Sequence, residues 1–445
     1  MDEFKNPHVN GIWEALNAFI ENIKCLYDSF DYSETMLRSQ KLDAQKELNT
    51  FNKLFQQKGE DGQTKVVVPK DKEKQHQHLE RRVERSQESS KLLMRSYIVS
   101  MVSQFDAFIS NLMRRLYDIN PDKLNQSGHT MTFAELQGFP SIEAAREYVI
   151  ESKIENTLRD SHQEQFKELA STIGVEKLNK FPNWPTFVEI TQRRNLFVHA
   201  NGIVSNQYLN ICKAEGVDLK GVKKGDQLDV DRSYFLKAFD VFYEVAVKLS
   251  QMSLRVLLYK KDETCLAEVD KALKLSIHDL INDEHYDVAI ELCDFALNTQ
   301  FKHSSLDRGY LLLNLAQAHK WKGDDKKCQE LLDAEDTSSW RSELKCPMFA
   351  LKEDIDKVCE MMVSSGKNSD VLDADTYRNW PIFKNVRSEV KFRETFKNIF
   401  GEKLTEEEEI NSAGEVPAGE PVGEQNDIKA ATATANATEI TCKNL

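Results

Sequence analysis

The side chains whose types and spacing could do chemistry are concentrated in one string, Arg193-Arg194-Asn195-Leu196-Phe197-Val198-His199. An arginine presents a planar, permanently charged fork of donors that fits phosphate oxygens. A histidine titrates near neutral pH and can take or give a proton. An asparagine amide can orient the imidazole or a substrate. Together these groups suit RNA transesterification. The 2′-hydroxyl loses a proton, the phosphate is held while it gains charge, and the leaving oxygen is protonated. Such a step requires no metal, and DNA is spared because it lacks the 2′-hydroxyl.

Helical geometry groups these residues. Each residue advances about 100° around a helix, so Asn195 and His199, four apart, share a face. Arg193 and Arg194 fall on either side of His199. Arg194 shares its face with Phe187, Ile190, Phe197 and Val198. A guanidinium on an apolar stripe needs a partner, which a second subunit, a phosphate or a carboxylate would supply. Glu189, one turn before Arg193, is an auxiliary candidate and could be a structural pair for that arginine. The plain alternative is a helix end capped by a histidine, with an arginine in a buried ion pair. Spacing alone does not decide, because an arginine four to six residues before a histidine is a loose pattern in a chain with ten histidines.

The elements that must position this string read as helices. Residues 10–57 carry Trp13, Leu16, Phe19, Ile20 and Ile23 at spacings of three and four. Residues 58–78 are polar, charged and interrupted by Gly and Pro, and they read as a flexible linker. A long helix is expected over 79–119, where Ile98, Val102, Phe105, Ile109, Leu112 and Leu116 form one apolar seam and Pro121 stops it. A helix pair is expected across 142–173, with Ser141 as N-cap and Gly174 as C-cap. The string itself lies on a helix over about 184–200, and Asn201-Gly202 is its stop signal. A further helix over about 231–260 starts at Asp231. Residues 79–260 therefore favour an antiparallel bundle in an all-α fold.

Residues 264–400 have a different texture. His285–Leu297 and Gly323–Leu332 each resemble the second helix of a tetratricopeptide-type hairpin. Aligning Ala289 with Cys328 gives an offset of 39 residues, longer than the usual period of ~34. The expected organisation is a helical segment at 1–57, a linker at 58–78, the bundle at 79–260 and TPR-like hairpins at 261–401. A disordered acidic tail follows at 402–445.

Charge fits a local site. The net charge is −14, but residues 401–445 hold 3 Lys/Arg against 10 Asp/Glu, whereas residues 76–260 hold 25 against 23. The centre is near neutral, so RNA is expected in a small pocket and not along a broad positive field. No run approaches the ~18 apolar residues of a spanning helix, and the start lacks a secretory pattern, so the chain is expected in the cytoplasm. The eight cysteines form no CxxC pair and read as reduced thiols. No Gly-rich phosphate loop and no HExxH occur, so no cofactor and no metal are expected. His76 and His78 read as part of a solvated segment.

The run from Trp184 to Val204, followed by Tyr208-Leu209, resembles the motif helix of HEPN domains. That family's signature is an arginine, a polar residue, three to five further residues and a histidine; Arg194, Asn195 and His199 match it, and Arg193 also satisfies the spacing. The resemblance covers roughly residues 85–260. It implies a four- or five-helix bundle that forms a homodimer and metal-independent RNA cleavage leaving a cyclic phosphate. It also implies a setting in antiviral defence or a toxin–antitoxin response. Inactive members of the family serve in dimerisation, so the second expectation is a non-catalytic adaptor whose helical repeats hold a protein partner. A third is an antitoxin-like partner of a nucleotidyltransferase.

Overall fold

In a computed structural model the chain is described over residues 4–58, 64–125, 130–258, 263–299, 301–369 and 371–404. These residues are mostly helical, as the all-α expectation requires, with one two-stranded sheet among them. Among the described residues no helix is long and apolar enough to cross a membrane.

Helix α1 (Pro7–Leu54) begins where the Asn6 side chain accepts from the amides of His8 (3.0 Å) and Val9 (3.3 Å). Proline at the first helical position loses no bond there. Strands β1 (Gln56–Lys58) and β2 (Thr64–Val66) then pair antiparallel and lead to α2 (Glu73–Ile119). The linker expected at 58–78 is therefore corrected: it takes in the last residue of β1, the whole of β2 and the start of α2, and within it residues 59–63 fall outside the described residues. Its polar composition hid a narrow helical seam. The half-buried His76 and Leu79 and the buried Val83 face α1, with His76 Nε2 2.9 Å from Asn52 Oδ1 and its ring beside Phe51. On α1 the facing residues Ile23, Phe30, Leu37, Ala44 and Phe51 are buried every seventh residue. That spacing is a two-helix coiled seam.

The bundle is completed by the short α3 (Asp122–Asn125) and α4 (Phe133–Gln137), then by α5 (Ile142–Arg159), α6 (His162–Ile173), α7 (Trp184–Ala200), α8 (Asn206–Ala214) and α9 (Arg232–Ser253). Ser141 caps α5, and Gly174 ends α6 at a φ of 84°. The expected seam of α2 is fully buried, and α2 packs on α1, α5, α7 and α9. A π turn, Leu254–Leu258, extends α9.

Three helical hairpins follow: α10 (Leu266–Asn282) with α11 (Tyr286–Asn298), α12 (Ser305–Trp321) with α13 (Asp325–Ala334), and α14 (Ser342–Leu351) with α15 (Ile355–Ser365). The chain then adds α16 (Ala374–Asn379) and α17 (Val390–Phe400), which Gly401 ends in the left-handed region. The three hairpin turns are built alike. The amides of His285, Asp324 and Asp354 donate to the carbonyls of Leu280, His319 and Phe349 at 2.8, 2.9 and 3.0 Å. The residues just before them, Glu284, Gly323 and Glu353, have φ of 64°, 95° and 56°. This is the left-handed helix ending that closes orphan carbonyls. Glu284 and Gly323 are 39 residues apart, the offset read from Ala289 and Cys328.

The main apolar core does not break at residue 260. It runs from α1, α2 and α9 into α10, α11 and α12. Tyr243 on α9 donates its hydroxyl to the carbonyl of Ser276 at 3.2 Å, and Lys24 on α1 pairs with Asp279 (2.5 Å) and Asp283 (2.7 Å). The first hairpin is thus sealed onto the bundle. Of the tail expected at 402–445, residues from 405 on lie outside the described residues.

Candidate functional site

Helix α7 carries the string, and its end is held from three sides. Asn201 adopts a φ of 49° and Gly202 one of 79°, as their stop signal requires. A Cβ at position 202 would lie 2.7 Å from the carbonyl oxygen of Leu228, so glycine is needed there for space as well. Arg95 of α2, buried, donates through Nη1 to the backbone oxygen of Asn201 (3.1 Å) and to its Oδ1 (2.9 Å), and through Nε to Asp229 (3.0 Å). Gln227 adds a bond to the same Asn201 carbonyl at 2.6 Å. His199, two residues before this clamp, is thereby fixed in position by its backbone.

The two arginines face different surroundings. Arg193 Nε donates to Glu189 Oε1 at 2.7 Å, its Nη1 donates to the Asp229 carbonyl at 3.2 Å, and its guanidinium lies 3.9 Å over the Tyr234 ring. Glu189 also accepts from the hydroxyls of Tyr208 (2.6 Å) and Tyr234 (2.8 Å). Every acceptor of this carboxylate has a donor, so the buried charge is compensated. Burial, reinforced by the Glu189 charge, pushes both phenols above their ordinary range. Burial opposes the charge on Arg193, but Tyr234, Glu189 and Tyr208 outweigh it and hold that group above its ordinary value. The neighbouring Cys212 thiol is pushed up to about 12 by burial and then by Glu189.

Arg194 lines a polar cavity of about 570 Å³ on the other flank of α7. Its Nη1 donates to Asn195 Oδ1 at 3.1 Å. Its Nη2 lies 3.8 Å from Asp106 Oδ2, too far for a hydrogen bond, and its buried Nε has no partner among the described residues. Asp106 is engaged elsewhere: its Oδ1 is 3.0 Å from Nε2 of the buried His162. Gln165, also on the wall, is 1% exposed, and its Oε1 has no partner among the described residues. His199 stands exposed at the rim.

The string therefore divides. Arg194, Asn195 and His199 meet on one cavity, whereas Arg193 and Glu189 belong to a closed network behind it. Asp106, His162, Gln165 and the clamp Arg95 escaped the reading of the sequence. Two left a signal: Arg95 lies three residues before Ile98, and Asp106 four after Val102, so each is a charge beside the apolar seam of α2. His162 left none, since α6 reaches the cavity only through the fold.

Chemically, the cavity offers an arginine with an uncommitted donor, a polar wall and a proton-transfer group at its mouth. Such a set can hold an anionic phosphoester and move a proton. Among the described residues no group of three or more His, Cys, Asp or Glu side chains is placed to hold a metal ion. Comparison with family models, with curated proteins and with solved structures finds no match to the chain.

Proposed function

We propose that the chain is a metal-independent endoribonuclease of HEPN type. Arg194 holds the scissile phosphate, Asn195 steadies that guanidinium, and His199 moves the proton. The 2′-oxygen gives its proton to a base and attacks phosphorus. The bond to the 5′-oxygen breaks, that oxygen takes up a proton, and a 2′,3′-cyclic phosphate remains. The observation that carries this reading is the incomplete pairing of Arg194 on a polar cavity shared with Asn195 and His199. Arg193, fully engaged with Glu189, is assigned a structural role.

The reading includes a homodimer, because Val198 (49% exposed) and Ile203 (45% exposed) flank His199 as apolar surface open to a second copy. It also includes a role in antiviral defence or a toxin-like stress response. The test is incubation of the full chain with total RNA in EDTA, beside Arg194→Ala and His199→Ala. Cleavage by the wild type alone, with cyclic-phosphate ends, is the expected result; cleavage retained by either variant would remove that residue from the site.

One observation favours the adaptor reading. A groove of about 660 Å³ runs along α10 and α12 to Trp380, beside the TPR-like hairpins, with Tyr310 and Asn314 on its floor. A protein partner held there would survive substitution of Arg194 and His199, and no RNA would be cut.

A further inference from the structure

The α1–α2 hairpin continues past the bundle as an arm. Beyond Leu37 on α1, the contacts that α1 makes are with α2: Glu47 with Arg82, Asn52 and Phe51 with His76. The arm differs from the rest of the chain in charge. Residues 38–91 carry 13 Lys/Arg and 9 Asp/Glu, whereas the remainder carries 46 and 64. A net positive limb on a molecule of charge −14 is a concentrated field.

The charges are also ordered. Lys74, His78, Arg81 and Arg85 are spaced four, three and four, which places them in one stripe along α2 over about 16 Å. All four are exposed. Lys74, Arg81 and Arg85 have no ion-pair partner among the described residues, although Arg82 between them is bonded to Glu47. Arg81 and Arg85, like charges four residues apart, weaken the helix slightly, so folding gives no reason for that pair. The same helix leads to the site. Ten residues after Arg85, about 15 Å along the axis, stands Arg95, which clamps the end of α7 beside His199.

We propose that this arm binds single-stranded RNA along its length and delivers it to the cavity at its base. The inference rests on the ribonuclease reading for what happens at the cavity, but not for binding at the arm. The spacing of the stripe suits successive backbone phosphates, with cations as point contacts and no base selection. An anionic membrane would meet only the tip, where Leu54, Val66 and Val67 are exposed; Arg81 and Arg85 lie along the shaft.

The test uses full-length His199→Ala, and the same protein with Lys74→Gln, Arg81→Gln and Arg85→Gln. Glutamine keeps helix propensity, and a thermal melt confirms that the fold is retained. Binding of a fluorescent mixed-sequence single-stranded RNA is followed by anisotropy from about 50 to about 200 mM salt. The triple variant is expected to bind at least tenfold more weakly at low salt. Its plot of log affinity against log salt should be shallower by about 2, since three contacts contribute about 0.7 each. Equal affinity and slope in the two proteins would overturn the proposal, as would capture of the arm by phosphatidylserine vesicles with no binding of RNA. Arm-dependent RNA binding by a wild-type chain that cuts no RNA would leave the arm standing and sink the ribonuclease reading.

Discussion

The two flanks of helix α7 stand in contrast. One holds Arg193, closed under Tyr234 and bonded to a carboxylate that two tyrosines also serve. The other holds Arg194, one residue along, with a single hydrogen bond to its neighbour Asn195, a distant carboxylate and an orphaned Nε. Adjacent residues of the same type therefore carry opposite burdens. A charge whose partners are all supplied within the fold stabilises; a charge left partly unpaired at a cavity is available to a ligand.

The sharpest way to break this contrast is to exchange the readouts. Arg194→Ala and His199→Ala should each lower RNA cleavage by about 10² to 10⁴, while their urea midpoints stay near the wild type, because His199 is exposed and the half-buried Arg194 gives up one hydrogen bond, to its neighbour Asn195, and relieves an orphaned Nε. Arg193→Ala should do the reverse. It strands the Glu189 carboxylate, and loss of one partner of a buried pair costs about 3 kcal/mol. A urea titration would read this as a lower midpoint with unchanged slope. If Arg193→Ala leaves stability intact and abolishes cleavage, the assignment of the two arginines is inverted.

Gly202 tests whether the rigid end of α7 matters to the open flank. Gly202→Ala must accept a positive φ and a contact at 2.7 Å with the Leu228 carbonyl. The expected loss is about 1–3 kcal/mol, with cleavage falling further than in a variant of equal stability made away from the end of α7. Equal cleavage at equal stability would mean that His199 does not depend on the clamp.

The readable part of this contrast was local. Asn201-Gly202 announces a helix end wherever it falls, because the left-handed backbone is a property of those residues. Gly174 is legible for the same reason, Ser141 and Asp231 because their short side chains cap the amides of a following helix, and the seam from Ile98 to Leu116 by its spacing. The choice between Arg193 and Arg194 was not legible, since it depends on Tyr208, Tyr234, Asp106 and His162, which come from four other helices. The arm is hidden in the sequence for another reason. Its basic residues straddle positions 57 and 78, so dividing the chain there split one charged limb between a helix, a linker and a bundle. His76, whose surroundings in the sequence are those of a solvated segment, is a seam residue that packs on Asn52 and Phe51 of α1.

The smallest expected effect concerns Asp231, which caps α9 beside the closed flank. Its Oδ1 accepts from the Tyr234 amide at 2.8 Å and from the Ser233 hydroxyl at 2.9 Å. These bonds, the backbone one first, hold its carboxyl below the ordinary 3.8. The folded value is depressed, so the stabilisation is full above the unfolded value and is lost as pH falls through the folded one. Asp231→Ala should therefore cost about 1 kcal/mol at neutral pH, at the low end because the carboxylate is exposed and screened. The difference from wild type should close on acidification below 3.8. Tyr234 begins its helix from this cap and covers Arg193, whereas nothing in the cap touches the cavity of Arg194. Cleavage at neutral pH should then stay unchanged in Asp231→Ala even as stability drops. A fall in cleavage larger than the loss of folded protein would show that strain on the closed flank crosses α7, and the two sides could no longer be treated as independent.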